Sequence, residues 1–301
     1  MPKLELHLNV DENNSALALL NKHCKLTNSQ LKKAAQQGAL WLEHKNTASK
    51  KNYTKRLRRV KSNLKQGDML HFYYNEQLLS QQTPEAQLIA DHGEYSIWYK
   101  PYGMLCQGSK WSDHCTINRY VENNIEPQRP AFIVHRLDRA ASGLIIIAHS
   151  KKTARAFGQL FEQHLLTKTY HIICHGDHRP HPQPEEISFA IDNKKANSTF
   201  SLLSYDNENN LSLIKVNIGS GRKHQIRKHA AAIGLPVVGD RLHGDQNVQY
   251  SEHLNLQLCA VSLDFICPIT NIEQHFTLPD SLTPCLSKTA ELLTNKTITT
   301  D

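Results

Sequence analysis

No run of roughly 18 or more apolar residues occurs in the 301-residue chain, so no membrane-spanning helix is expected. The start, Met1-Pro2-Lys3-Leu4-Glu5, carries acid early and lacks a continuous apolar segment, which argues against a secretory signal. The seven cysteines are odd in number and include no CxxC pair, a usage that suits free thiols in a reducing cytoplasm. Internal repeats are missing. So is any long helix–strand alternation between Leu166 and Asp301, which speaks against a doubly wound parallel sheet and favours an α+β chain. What is present is ordinary for a globular protein: 39% hydrophobic and 21% charged residues, at a length that suits one sizeable core and a smaller domain.

Acid is also missing from His44 to Gly67, where Lys50, Lys51, Lys55, Arg56, Arg58, Arg59, Lys61 and Lys65 fall. Through residue 80 there are 14 Lys and Arg against 6 Asp and Glu; the remainder has 21 against 22, so the whole excess of +7 resides in the first quarter. Such a run attracts polyanions through counterion release. A solvated basic face or a patch for anionic lipid fits the charge equally well.

Along the chain, residues 14–24 space Leu17, Leu20 and Cys24 as a helix does. Ser29 is expected to cap a second helix through Gln37, with Gly38 as its left-handed stop. Ala39–Leu42 and Met69–Tyr74 read as strands, with Gln66-Gly67-Asp68 as the turn before the latter. Two helices, a strand, a basic loop and a strand after Gly-Asp resemble the small RNA-binding module named for a ribosomal small-subunit protein. Residues 79–90 are polar, hold a proline and read as a linker. Beyond them Tyr95–Tyr99, Gly143–Ala148 and Leu211–Ile218 read as strands and Lys151–Leu165 as an amphipathic helix. The expected division is a small basic α/β RNA-binding domain over 1–78, a linker over 79–90, a catalytic domain over 91–285 and a tail over 286–301.

Three segments carry chemistry. Tyr99-Lys100-Pro101-Tyr102-Gly103 is a strand ending in a turn. His135-Arg136-Leu137-Asp138-Arg139, followed by Ser142-Gly143-Leu144, is a polar loop feeding an apolar strand. Gly221-Arg222-Lys223-His224-Gln225-Ile226-Arg227-Lys228-His229 is a turn into a helix that ends near Gly234. Asp138 stands between two arginines where the chain turns inward. Guanidinium neighbours favour the ionised form, as a nucleophile or base needs. Arg222, Lys223, Arg227 and Lys228 could hold a carboxylate or phosphate. Taken singly, Asp138 also reads as a turn residue, Arg222 and its neighbours as surface, and Tyr170 as strand packing.

In this order the segments resemble the RluA-like family of pseudouridine synthases, whose HRLD-x-x-x-SGL, K-P-x-G, GR-x-HQIR-x-H and G-x-P-x-x-GD strings fall at His135–Leu144, Lys100–Gly103, Gly221–His229 and Gly234–Asp240. The resemblance implies an α+β catalytic domain with a large mixed, mostly antiparallel sheet and flanking helices. It also implies isomerisation of uridine in structured RNA, with neither metal nor organic cofactor. Asp138 is implied as the essential carboxylate, Tyr170 as the aromatic residue against the base, and Arg227 as the salt-bridge partner of Asp138. Arg136 is implied to engage RNA as the base is extruded, and Lys100 and Arg222, with Lys50, Lys51, Lys55, Arg56, Arg58 and Arg59 of the basic run, complete the expected RNA contacts. Ala141 stands where the family usually has Thr, and Tyr99 where Asn is common before Lys-Pro.

A carboxylate beside the sugar suits a glycosidic bond that breaks and re-forms. It could attack C1′, attack C6 of the base or abstract a ribose proton, and the residues do not choose among these. A base hidden in folded RNA must be flipped out, and an aromatic face can hold it while it turns. The alternative of a catalytically idle RNA-binding or assembly factor on the same fold requires that Asp138, Tyr170 and Arg227 be unused. A metal-dependent nuclease would draw on His171, Cys174, His175 and His178, whose spacing fits no standard zinc pattern. The chain is expected to be a monomer, to reside in the cytoplasm and to act on ribosomal RNA in preference to transfer RNA, with no membrane partner.

Overall fold

The computed structural model describes residues 3–44, 53–244 and 254–294. The chain divides into two compact units: residues 1–83 with 107–124, and residues 84–106 with 125–301.

In the first unit, strands β1 (Lys3–Asn9), β3 (Leu40–His44), β4 (Tyr53–Arg56) and β6 (Met69–Asn75) form an antiparallel sheet in the order β1-β6-β3-β4. Two short strands, β2 (Asn14–Ser15) and β5 (Asn63–Leu64), pair apart from it. Alternation along β1 and β6 sends Leu4, Leu6, Leu8, Leu70, Phe72 and Tyr74 to one face. There they meet the apolar sides of helices α1 (Ala16–His23) and α2 (Asn28–Gln36). Ser15 caps α1 by accepting from the Ala18 N–H. The cap of α2 is Thr27, not Ser29: Thr27 and Gln30 form a reciprocal capping box, which places the helix start two residues earlier than expected. Helix α3 (Glu76–Leu79), capped by Asn75, closes this part of the chain.

The second unit is built on one ten-stranded sheet. Its strands are β7 (Gln87–Asp91), β8 (Tyr95–Lys100), β9 (Phe132–Ile133), β10 (Ser142–Ala148), β11 (Leu166–His175), β12 (Glu185–Ser188), β13 (Asn197–Asp206), β14 (Leu211–Ile218), β15 (Leu258–Ile266) and β16 (Glu273–Thr277). The order is β12-β13-β14-β11-β15-β10-β8-β7, with β16 beside β15 and β9 beside β10. Among the described strands only β10 and β15 pair in parallel, joined at Ser142–Cys259 and Gly143–Ala260, so the sheet is mixed and mostly antiparallel. Four further α-helices and a 3-10 turn at Asp280–Leu282 complete the described elements: α4 (Ile117–Asn124), which belongs to the first unit, α5 (Lys151–Glu162), α6 (Gln225–Ala232) and α7 (Leu286–Thr294). Amphipathic α5, capped by Ser150, buries Phe157 edge-on against Tyr95 and Phe265.

One stretch differs from the sequence reading: residues 87–90 of the expected linker belong to β7 and pair with β8 in the sheet. Leu286–Thr294, at the C-terminal end where a loosely attached helix and tail are expected, is a helix whose Ala290 is buried with Ile173, Leu211 and Val238. No helix among the described residues is long and apolar enough to cross a membrane.

Candidate active site

The site forms where β10 begins. Gly143 has φ +118, and a β-carbon there would stand 2.3 Å from the backbone nitrogen and oxygen of Ala260, so only glycine lets β10 approach β15 this closely. Ala260 is also the register partner of Tyr170 on β11. Gly143, Ala260 and Tyr170 therefore lie at one level across three adjacent strands. A register shift between Thr169 and Tyr170 re-aims the strand at that level. Asp138 sits in the loop just before β10.

That loop is braced from several sides. The Ala141 N–H donates to the Asp138 carbonyl at 3.1 Å. The Gly103 N–H donates to the Arg139 carbonyl at 2.9 Å, which ties the Lys-Pro-x-Gly turn to the catalytic loop. His135 is buried beside Phe161 and accepts from the Ile146 N–H at 3.0 Å, anchoring the start of the loop to β10.

Lys100 requires a correction. It was expected to face RNA, yet it is fully buried, and its Nζ donates to the carbonyls of Pro101 at 3.0 Å and Met104 at 2.9 Å. Burial lowers its amine to about 8, against weaker upward pulls from Cys106 and Asp138. It shapes the turn from inside.

Arg227 lies on α6, nearly buried. Its Nη1 stands 3.7 Å from Asp138 Oδ2, while Nε and Nη2 bind both oxygens of buried Asp240 at 2.8 and 2.5 Å. Burial works against the charge on Arg227, but Asp240 and, behind it, Asp138 outweigh that and raise its pKa. Burial likewise opposes ionisation of Asp240. Hydrogen bonds from Arg227 and the N–H groups of Leu242 and His243 overcome it and lower its pKa. The guanidinium is thus locked by one carboxylate and presented to another. His224, in the left-handed region at φ 56, brings Nε2 to 3.9 Å from Asp138 Oδ2, and its Nδ1 meets His243 Nε2 at 2.8 Å. Gln225 knits the turn together, accepting from the Arg222 N–H and donating to the Asn197 carbonyl and Ser198 hydroxyl.

Tyr170 is 5% exposed. Burial and, second, the charge of Asp138 push its phenol well up, so it stays protonated at neutral pH.

The structure thus brings Asp138, Tyr170 and Arg227 to one place. Arg136 is exposed beside Asp138, and Arg222 is exposed with its Nε donating to the Lys195 carbonyl. Of the first-unit residues, Lys55 and Arg59 are exposed, and Lys50 and Lys51 lie outside the described residues. Arg56 and Arg58 depart from expectation: both bind the carboxylate of Asp113, at 3.2 and 2.6 Å, which occupies charge expected to meet phosphate. Sequence reasoning gave Asp240 no role, although its Gly-Asp string was visible, and it passed over His224. His243 carried no signal at all.

The histidine cluster regroups. Within it His178 meets neither His171 nor Cys174 but His181 and Glu185, the three offering ligand atoms within 4.8 Å of one another. Gln183 is oriented by accepting from the Leu202 N–H at 2.9 Å and donating to the His178 carbonyl at 3.1 Å. Its amide therefore also donates to His178 Nδ1, at 2.9 Å. His178 Nε2 then carries the proton it gives to Glu185 at 3.0 Å, which leaves no lone pair there for a cation.

The model of the family described as RNA pseudouridylate synthase matches residues 94–232. The chain is 32% identical over 206 residues to a tRNA pseudouridine synthase C of Vibrio cholerae, an alignment covering 57% of this chain and 81% of that one. It is 27% identical over 220 residues to a ribosomal large subunit pseudouridine synthase C of Rickettsia felis, covering 66% of this chain and 70% of that one. Among solved structures, human RNA pseudouridylate synthase domain containing 1 superposes with a TM-score of 0.57 at 20% identity, over 72% of this chain and 96% of that one, a likeness of fold. With the motif residues gathered around Asp138 and relatives that share most of their own length with it, the chain belongs to the RNA pseudouridylate synthase family and is an RNA-modifying isomerase.

Proposed function

We propose that this enzyme flips a uridine out of structured ribosomal RNA and isomerises it, with Asp138 as the reacting carboxylate. The observation that carries the reading is the Asp138–Arg227–Asp240 arrangement. The side chain of Asp138 is 29% exposed, open to a substrate, while the cation that orients it is 4% exposed and held from behind by Asp240. A carboxylate so held would meet the sugar side of an extruded nucleotide already oriented, with no reorientation needed when charge develops. Tyr170, protonated and level with the loop, suits holding the detached uracil better than taking its proton. Arg136, exposed one residue before Leu137-Asp138, would fill the stack that the base leaves.

Support for ribosomal RNA comes from the first unit, whose two helices, strands and basic run resemble a ribosomal-protein-type RNA-binding module. Tritium release from RNA carrying 5-tritiated uridine tests the reading, because rejoining through C5 expels that atom. Release is expected from ribosomal transcripts. Release from transfer RNA alone would overturn the choice of RNA, and release from neither would favour an idle binding factor.

A further inference from the structure

His224 and His243 face Asp138 without a part in the chemistry above. Their contact at 2.8 Å joins two ring nitrogens, so one ring must donate and the other accept. If His224 donates from Nδ1, its Nε2 is a bare lone pair aimed at Asp138 Oδ2 3.9 Å away, an unfavourable pairing. If His243 donates, His224 Nε2 carries a proton and presents an N–H to the carboxylate. At 3.9 Å this is electrostatic attraction and not a hydrogen bond. The charge on Asp138 thus selects the second tautomer.

The placement of both rings is built in. The His243 N–H donates to Asp240 Oδ1 at 3.1 Å, so the carboxylate that locks Arg227 also positions His243. His224 stands at φ 56 with no side-chain cap, a conformation a residue with a β-carbon adopts only where its surroundings hold it. We infer that His243 is a positioning residue for the isomerisation: by donating from Nε2 to His224 Nδ1 it fixes the tautomer in which His224 supports Asp138. The inference rests on Asp138 being the reacting group.

A pH dependence follows. Asp138, Asp240, Arg227, Lys223 and Lys228 are the charged groups acting on the pair. Burial lowers both rings from the ordinary histidine value, with Asp138 and Asp240 pulling back upward. The pair can take up one proton and still keep a single hydrogen between the facing nitrogens; a second proton would put hydrogens on both and break the bond. The rate should therefore fall only as pH drops well below the ordinary histidine range.

The test uses the full chain and bulk ribosomal and transfer RNA transcripts labelled with 5-tritiated uridine, followed in single turnover across the acid limb. His243→Phe should slow turnover roughly tenfold at pH 7.5 with unchanged RNA affinity, the size of one lost hydrogen bond near a charge. His243→Gln should restore most of that loss, since its amide can donate to His224. It should also flatten the acid limb, because the amide can turn to accept once His224 is protonated. A Phe variant with the wild-type rate, or a Gln variant with the wild-type acid limb, would overturn the inference. Should the Phe variant fail to fold, the acid limb of the Gln variant decides alone. Asp138→Asn run in parallel separates the two readings. Turnover there sinks the assignment of Asp138, whereas a dead Asp138→Asn beside an unaffected His243→Phe removes only the role of His243.

Discussion

At the scale of single residues, the fate of a charge depends on which way its side chain points, and Lys100 is the clearest case. A lysine in a family motif reads as a phosphate contact from sequence, because burial leaves no mark on the spacing of Lys-Pro-x-Gly. In the fold its amine is spent on two carbonyls under the turn. Its pKa is lowered from 10.5 to about 8, so between those values the unfolded chain holds a proton that the folded one lacks. Stability contributed through this group therefore rises with pH across that window. Urea unfolding at pH 8 and 10 should show a gain that Lys100→Met reduces by about 2 kcal/mol. Lys168, also lowered to about 8 by burial, follows the same trend in both proteins and cancels from the comparison. Equal gains in the two would mean that Lys100 is solvated. Asp240 was hidden for another reason: its partner Arg227 is visible as a motif residue, but only the path of α6 and the loop after it shows which carboxylate the guanidinium binds.

At the scale of elements, periodicity was a good guide where one side of an element is buried and a poor one elsewhere. Strand β14 matches its expected span of Leu211–Ile218 and α5 falls close to its own, because each buries mainly one side, while β10 falls close as a continuous apolar run buried on both faces. Strand β7 lies at the sheet edge with mostly exposed side chains and has no such signal. The bulge before Tyr170 depends on cross-strand register, which no local pattern encodes. Least visible was the excursion of residues 107–124 into the first unit. Gly38, at φ +90, makes room there: a β-carbon would meet Arg56 and Asp113 at 2.2 and 2.4 Å. Asp113 accepts two hydrogen bonds from Arg58, its N–H donates to the Gln37 carbonyl, and Trp41 donates to the Lys110 carbonyl. Asp113→Ala would leave two guanidinium groups facing each other without a counter-charge. The cost should be about 2–3 kcal/mol, below the figure for a fully buried pair because Arg58 keeps some solvent. Hydrogen exchange is the direct readout: amide protection at Asp113 and Thr116 should fall while that of β10 and β11 persists. Unchanged protection at those amides would show that the ion pair does not hold the segment.

At the scale of the whole molecule, charge is divided between the two ends of the sequence, and reaction chemistry lies where the net charge is close to zero. With Arg56 and Arg58 tied to Asp113, the exposed cations Lys55 and Arg59 are the described residues of the basic run expected to meet phosphate. Replacing both by alanine should lower the slope of log affinity against log salt by about 1.5, at roughly 0.7 to 0.9 per phosphate contact. An unchanged slope would mean that this face does not meet RNA. The central claim is that one carboxylate performs the isomerisation and that affinity is supplied elsewhere. Asp138→Asn removes its charge while keeping its shape, so single-turnover pseudouridine formation measured alongside RNA binding tests the claim most directly. The account predicts RNA affinity close to that of the unaltered protein with turnover reduced to less than about one per cent, as expected for loss of a reacting group. Turnover above that level in a variant that binds RNA normally would contradict it.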